Sequence, residues 1–300
     1  MSVAHIGRIV AVCLVSALCV CSGVGVGFNV GEVSNIDSSS LGFLKGFFQG
    51  NIDLTYNVDQ IPGTIRPESE IVRVNMEVSH FVSGLGSRLI IPFFRANTIP
   101  IELKIGKTPD WLMISVAPGV VYPRLGIVKP DTPEIVIISI SLTPNAPAFQ
   151  THAFEVVAEQ STFYGMIFPL VQPTINKIPV EIKPGLYANM QLDHQRYVHA
   201  PSQQLVKVMF NFTSYCNARM LIRGDIPDPP SGWFFDLESE LFIGTKVLGE
   251  DNTGQLELDV IAPRNFTGSL PVPVQFVYSA AGHPEQGIFY MNTTVTFFND

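Results

Sequence analysis

The chain has 300 residues, 18 basic against 26 acidic, with a formal net charge of −8, 15% charged residues and 46% hydrophobic ones. That balance excludes a disordered polyelectrolyte, which carries more charge and less apolar surface. It also argues against nucleic acid as a partner, because phosphate contacts need clusters of Lys and Arg that this sequence lacks. Its 24 glycines and 23 prolines follow no fixed period, a composition of short strands joined by many turns.

Residues 1–27 look like a secretory signal. Arg8 is the one formally charged side chain before Glu32, an apolar run extends from Ile9 to Val20, and a small-residue stretch from Cys21 to Gly27 closes it. Cleavage is expected after Gly23 or Gly27. Retention as a signal-anchor is the alternative, since the uncharged stretch has the length to span a bilayer. Either way the acidic remainder faces outward, and the expected location is secreted or cell-surface. A membrane enters only through this segment, if it is not cleaved. Cys13, Cys19 and Cys21 fall inside it and none follows a small residue, so a lipid-modified cysteine is disfavoured. Cys216 is left as the lone cysteine of the mature chain, and the fold must rest on its cores rather than on disulfides.

Residues 28–50 form a connecting segment in which Leu41–Phe48 has the spacing of a short amphipathic helix. Two strand-rich modules follow, over 51–185 and 186–300, with Pro184-Gly185 as the boundary. Val72, Val74, Met76 and Val78 alternate with Arg73, Asn75 and Glu77; Val206, Val208, Phe210 and Phe212 alternate with Lys207, Met209 and Asn211. Alternation with a period of two buries one face of a strand and wets the other. Pro67–Val74 aligns with Pro201–Val208 at an offset of 134. Further on, Trp111 aligns with Trp233 at an offset of 122, and the strand ending at Pro144 aligns with the one ending at Pro263 at 119. Common order with a drifting offset marks a duplicated unit whose second copy has shorter loops. Strands are expected near 52–58, 70–78, 88–94, 99–105, 111–116, 134–142, 152–158 and 177–183. In the second copy they are expected near 187–192, 204–213, 218–223, 233–238, 241–247, 255–261, 271–278 and 287–298. The fold class is therefore all-β, two tandem immunoglobulin-like β-sandwiches after a signal peptide.

The run Thr108-Pro109-Asp110-Trp111, the strand ending at Pro144-Asn145-Ala146-Pro147 and Phe154–Ala158 resembles the NEW3/CARDB-like immunoglobulin modules of bacterial and archaeal surface proteins. Gly232-Trp233, Leu256–Pro263 and Val272–Phe276 look like a second copy. The resemblance implies that Trp111 and Trp233 are core anchors, and that the modules serve as spacers, adhesion units or accessories to carbohydrate-active proteins.

Three sequons, at Asn211, Asn265 and Asn292, sit on polar strand faces or in a turn of the second module and are candidates for N-glycosylation. Cys216 continues an inward-facing phase and is expected to be a buried small hydrophobe, with intermolecular pairing as the sharper alternative. Histidines His80, His152, His194, His199 and His283 show no metal-ligand spacing. The acidic turns Asp225–Asp228 and Glu250–Gly254 do not match a calcium loop. No nucleophile elbow or phosphate-binding glycine loop is present. No catalytic, cofactor or metal site is expected. The expected role is a non-catalytic surface structural or adhesion protein whose partner is a protein or glycan. Two alternatives remain. One is a glycan-binding accessory using Tyr187, Tyr197, Phe234 and Phe235; the other is a strand-exchanging subunit of a surface filament that donates residues 28–50.

Overall fold

A computed structural model describes residues 48–69, 71–130, 132–165 and 168–299. The targeting segment 1–27 and, apart from Phe48, the expected helix at 41–48 lie outside the described residues.

The first module contains β1 (Phe48–Tyr56), β2 (Val72–Ser83), β3 (Ile101–Ile105), β4 (Leu112–Ala117), β5 (Val120–Val121), β6 (Glu134–Leu142), β7 (His152–Gln160), β8 (Phe163–Gly165), β9 (Phe168–Gln172) and β10 (Thr174–Ile182). The second contains β11 (Met190–His194), β12 (Tyr197–His199), β13 (Leu205–Ser214), β14 (Met220–Asp225), β15 (Phe234–Leu237), β16 (Leu241–Ile243), β17 (Thr253–Ile261), β18 (Gly268–Ala280) and β19 (Ile288–Asn299). In the first, a sheet of order β4-β6-β2-β1-β9-β8 faces one of order β10-β7-β3-β5. In the second, β11-β13-β17-β15 faces β12-β19-β18-β14-β16. Removing the β8–β9 hairpin and β12 leaves the same order in both. The chain is thus two tandem immunoglobulin-like sandwiches, as the duplicated pattern implies.

The register refines that alignment. Val74 pairs opposite Ile138, and Val208 pairs opposite Leu258. With β2 and β13 offset by 134, β6 and β17 are offset by 120 (258 − 138), one more than the prolines suggest. At 120 the buried Val136, Ile138, Ile140 and Leu142 match the buried Leu256, Leu258, Val260 and Ala262. A slip of one residue would turn every one of these toward water, so burial fixes the register and the proline has moved by one in the loop.

One expected strand is replaced by helical turns and another is cut short by one. The segment near 88–94 forms α1 (Ser87–Ile90) and a 3-10 turn over Ile91–Phe94. Gly84 and Gly86 have φ of 132° and 80°, which an extended run of L-residues does not adopt, and Pro92 has no amide for a ladder. Ile91 alone of this segment's large apolar residues is buried in the core. The expected strand at 241–247 stops at Ile243, because the Thr245 hydroxyl accepts from the Val247 amide, 3.2 Å away, and caps a 3-10 turn over Lys246–Leu248.

Each sandwich has its own core. In the second, Phe276 meets Phe210 and Phe212 edge-on, with ring centroids 4.9 and 5.0 Å apart. We expect Phe276→Ala to destabilise this sandwich by about 3–5 kcal/mol, the usual cost of a cavity left by a buried phenylalanine. In urea unfolding followed domain by domain, the first sandwich's transition should stay in place.

Candidate functional site

The most densely bonded polar group between the two sandwiches is Asn217, which follows β13 and is 1% exposed. Its carboxamide nitrogen donates to the Ala146 carbonyl at 2.8 Å and the Gly185 carbonyl at 2.9 Å. The carboxamide oxygen accepts from the Tyr187 amide at 2.7 Å. Its backbone N–H donates to the Tyr187 carbonyl, and its carbonyl accepts from the Ala148 amide, both at 3.2 Å. Ala146 and Ala148 belong to the β6–β7 loop of the first sandwich, Gly185 and Tyr187 to the connection, and Asn217 to the second sandwich. One side chain therefore joins all three, with every donor and acceptor matched.

Apolar packing follows the same line. Ala148 and Phe149, on the first sandwich's loop, pack against the second sandwich's core, and the Phe149 ring lies 4.3 Å from that of His283. Phe149 adopts φ of 65° and its amide donates to the Pro184 carbonyl at 2.9 Å. A free linker would leave these backbone groups to water; here they are bonded inside the joint.

The residues singled out in the sequence are distributed around this frame. Asn265 is exposed in the β17–β18 turn, Asn292 is exposed on β19, and Asn211 is half-buried on β13, its Oδ1 accepting from the Gln255 side-chain Nε2 at 2.8 Å. Cys216 neighbours the joint and is 2% exposed; the Asn189 amide donates to its sulfur at 3.3 Å, and burial pushes its thiol pKa up. We expect Cys216 to react with a thiol reagent at the rate of unfolding rather than at the rate of an open thiol, measurable by titrating the folded protein with and without denaturant.

Trp111 and Trp233 each precede the first residue of an equivalent strand, half-buried against their cores. They are one register position apart. Ile114 opposes Ile140 and Phe235 opposes Val260, an offset of 121 that matches Trp233 with Leu112 rather than Trp111. Trp111 meets His152 edge-on at 4.7 Å, whereas Trp233 meets Phe266 at 4.6 Å and Phe297 at 5.6 Å. The four candidate glycan aromatics do not form a row. Tyr197 stands on β12 and Phe234 on β15, edge strands of different sheets, while Tyr187 belongs to the joint.

The acidic turn at 250–254 is turned inward to its own chain. Glu250 pairs with Arg219, which holds its carboxyl below the usual range, and Asp251 accepts from the hydroxyl and amide of Thr253. Among the described residues no group of three or more His, Cys, Asp or Glu is placed to hold a metal ion.

His80, set aside in the sequence because it shows no metal-ligand spacing, is a buried titratable group of the first sandwich. It is 0% exposed, its Nε2 lies 2.7 Å from Gln160 Oε1, and its Nδ1 has no partner. Gln160 donates onward to the Gln172 carbonyl at 3.1 Å, so its oxygen accepts and His80 carries its proton on Nε2. Gly50 leaves room for this pair, since a Cβ there would fall 2.5 Å from Gln160 Oε1 and displace it. Carrying the alternation of β2 one step past Val78 already places His80 inward.

A second proton on His80 would have no acceptor in a dry core, and burial lowers its pKa. The unfolded chain then takes up the proton first. Stability is unaffected above the ordinary imidazole range and falls as pH drops through about 6.5. We expect His80→Gln to flatten that part of the profile in urea midpoints measured between about pH 8 and 5.

No family model matches the chain, and no curated protein matches it. Among solved structures it is similar to a protein of unknown function from Porphyromonas gingivalis W83, at 11% identity and TM-score 0.30, covering 84% of this chain and 100% of that one. It is also similar to the CsuC-CsuE chaperone–tip adhesion subunit pre-assembly complex of Csu pili from Acinetobacter baumannii, at 9% identity and TM-score 0.24, covering 83% and 99%. Domains 4 and 5 of the S-layer protein SbsC match at 9% identity and TM-score 0.25, covering 83% and 97%. Superpositions this loose equate no individual residues.

Proposed function

We propose that the chain is a non-catalytic structural or adhesive protein of the cell surface, acting as a stiff two-module spacer that carries its second sandwich away from the envelope. The observation that carries this reading is the joint: a buried Asn217 bonded to both modules and to the connection between them. A hinge needs backbone that can exchange its hydrogen bonds with water, and this connection has little. The signal-like pattern at 1–27 supports an exported location. The resemblance to NEW3/CARDB-like modules supports the spacer role, and the sequons support a solvent-facing second module. Binding of a protein or glycan would then fall to exposed loops and edges rather than to a pocket.

Asn217→Ala tests this directly. It leaves two carbonyls and one amide in the joint without partners, at a cost of about 1–3 kcal/mol for each group that stays dry. We expect small-angle scattering of the wild type to fit one arrangement of the sandwiches. The variant should give a broader distribution and faster proteolysis near 184–187. A wild-type profile that already requires many arrangements would overturn the spacer reading. On native material, glycopeptide mass analysis should find sugar at Asn265 and Asn292, the two sequons whose asparagine is exposed.

A further inference from the structure

The end of the first sandwich remote from the joint is built from three connections: residues 84–100 between β2 and β3, the stretch after β5, and the β8–β9 hairpin. They are tied together. The Val82 amide donates to the Gly126 carbonyl at 2.8 Å, the Ile99 amide to the Pro123 carbonyl at 3.0 Å, and the Leu125 amide to the Asn97 carbonyl at 3.0 Å. Gly165 lies against the Phe94 ring, 3.2 Å from where a Cβ would sit.

From this platform large apolar side chains project into solvent. Leu85 is 96% exposed, Phe93 72%, Leu89 67% and Tyr164 60%. A lone exposed apolar residue is ordinary, but several on adjoining loop tips form an interaction surface. Its charge points to the partner. Segments 84–98, 120–130 and 161–173 contain Arg88, Arg95, Arg124 and Lys129 and no Asp or Glu, in a chain of net charge −8. Lys129 pairs with Asp53, whereas the three arginines are exposed and enter no ion pair among the described residues. Apolar tips flanked by the exposed Arg88, Arg95 and Arg124 match an anionic lipid surface: the side chains enter the boundary between headgroups and acyl chains, and the guanidiniums stay among the phosphates. Phe48 opens β1 at this same end.

We propose that this tip docks on an anionic membrane through Leu85, Leu89, Phe93 and Tyr164, independently of whether the N-terminal segment is retained. The first sandwich then stands end-on, and the joint points the second outward.

Hydrogen exchange read by mass spectrometry on the full chain locates the contact. The chain is mixed with vesicles of phosphatidylcholine alone or with added phosphatidylglycerol. We expect peptides covering 84–98 to be protected by the anionic vesicles only, while peptides from β13 exchange as before. Leu89→Asp with Phe93→Asp should abolish this protection. Arg88→Gln with Arg95→Gln should raise the vesicle concentration needed by about 25-fold, from about fivefold per basic residue at an anionic surface. Unchanged exchange in β2 and β6 shows that the variants remain folded. Equal protection by neutral vesicles would overturn the proposal. So would protection that survives the two aspartates, or protection that grows with protein concentration without lipid and so assigns the patch to a second copy.

Discussion

A strand paired on both sides has one degree of freedom that its hydrogen bonds do not fix, which is register, and here burial fixes it. β2 and β13 are each flanked by two partners, and each presents alternate residues to a dry interior. A slip of a single residue would exchange Val74 and Met76 for Arg73 and Asn75, or Val208 and Phe210 for Lys207 and Met209. That constraint explains why the equivalence between the copies is tight along strands and loose between them. Offsets of 134 on one strand and 120 on its partner keep buried Val74 and Met76 opposite buried Ile138 and Val136, and buried Val208 and Phe210 opposite buried Leu258 and Leu256, and the loops absorb the difference. The two tryptophans differ by one position at the strand ends: the Trp111 carbonyl accepts from the Thr143 amide at 3.0 Å, whereas the Trp233 amide bonds back to the Pro230 carbonyl at 3.3 Å, and the indoles meet His152 in one copy and Phe297 in the other.

The joint extends the same principle to polar groups. Where the chain passes from one core to the next, its backbone is dry and must be bonded. Asn217 supplies two donors and one acceptor in the geometry that Ala146, Gly185 and Tyr187 require. Phe149, although it belongs to the first module, packs on the second core. The two sandwiches therefore share a boundary in which neither can turn without exposing apolar surface and breaking buried bonds. The surface ion pairs, such as Lys104 with Glu102 and Glu159, lie on exposed faces and add little to this.

Much of the fold is legible in the sequence because its signal is local. Alternation from Val72 to Val78 and from Val206 to Phe212 specifies strand, face and core together, and the recurrence of the pattern specifies duplication. What is not legible depends on partners distant in the chain. Asn217 looks like any loop asparagine until segments 30 to 71 residues away bring their carbonyls and amide to it. The β8–β9 hairpin, with Gly165 and Pro169 interrupting an apolar run, carries no period from which a strand could be inferred. Leu89–Phe94 has strand-like composition, yet Pro92 and the left-handed Gly86 turn it into helical turns that bury Ile91 and leave Leu89 and Phe93 in water. His80 is the opposite case: its inward position follows from the alternation, but its bond to Gln160 does not.

The most direct test of two equivalent, inward-packed sandwiches is the pattern of cross-strand nuclear Overhauser contacts between backbone protons. The account predicts that Val74 faces Ile138 across β2 and β6, and that Val208 faces Leu258 across β13 and β17. Contacts that pair Val74 with Ile137, or Val208 with Glu257, would contradict it.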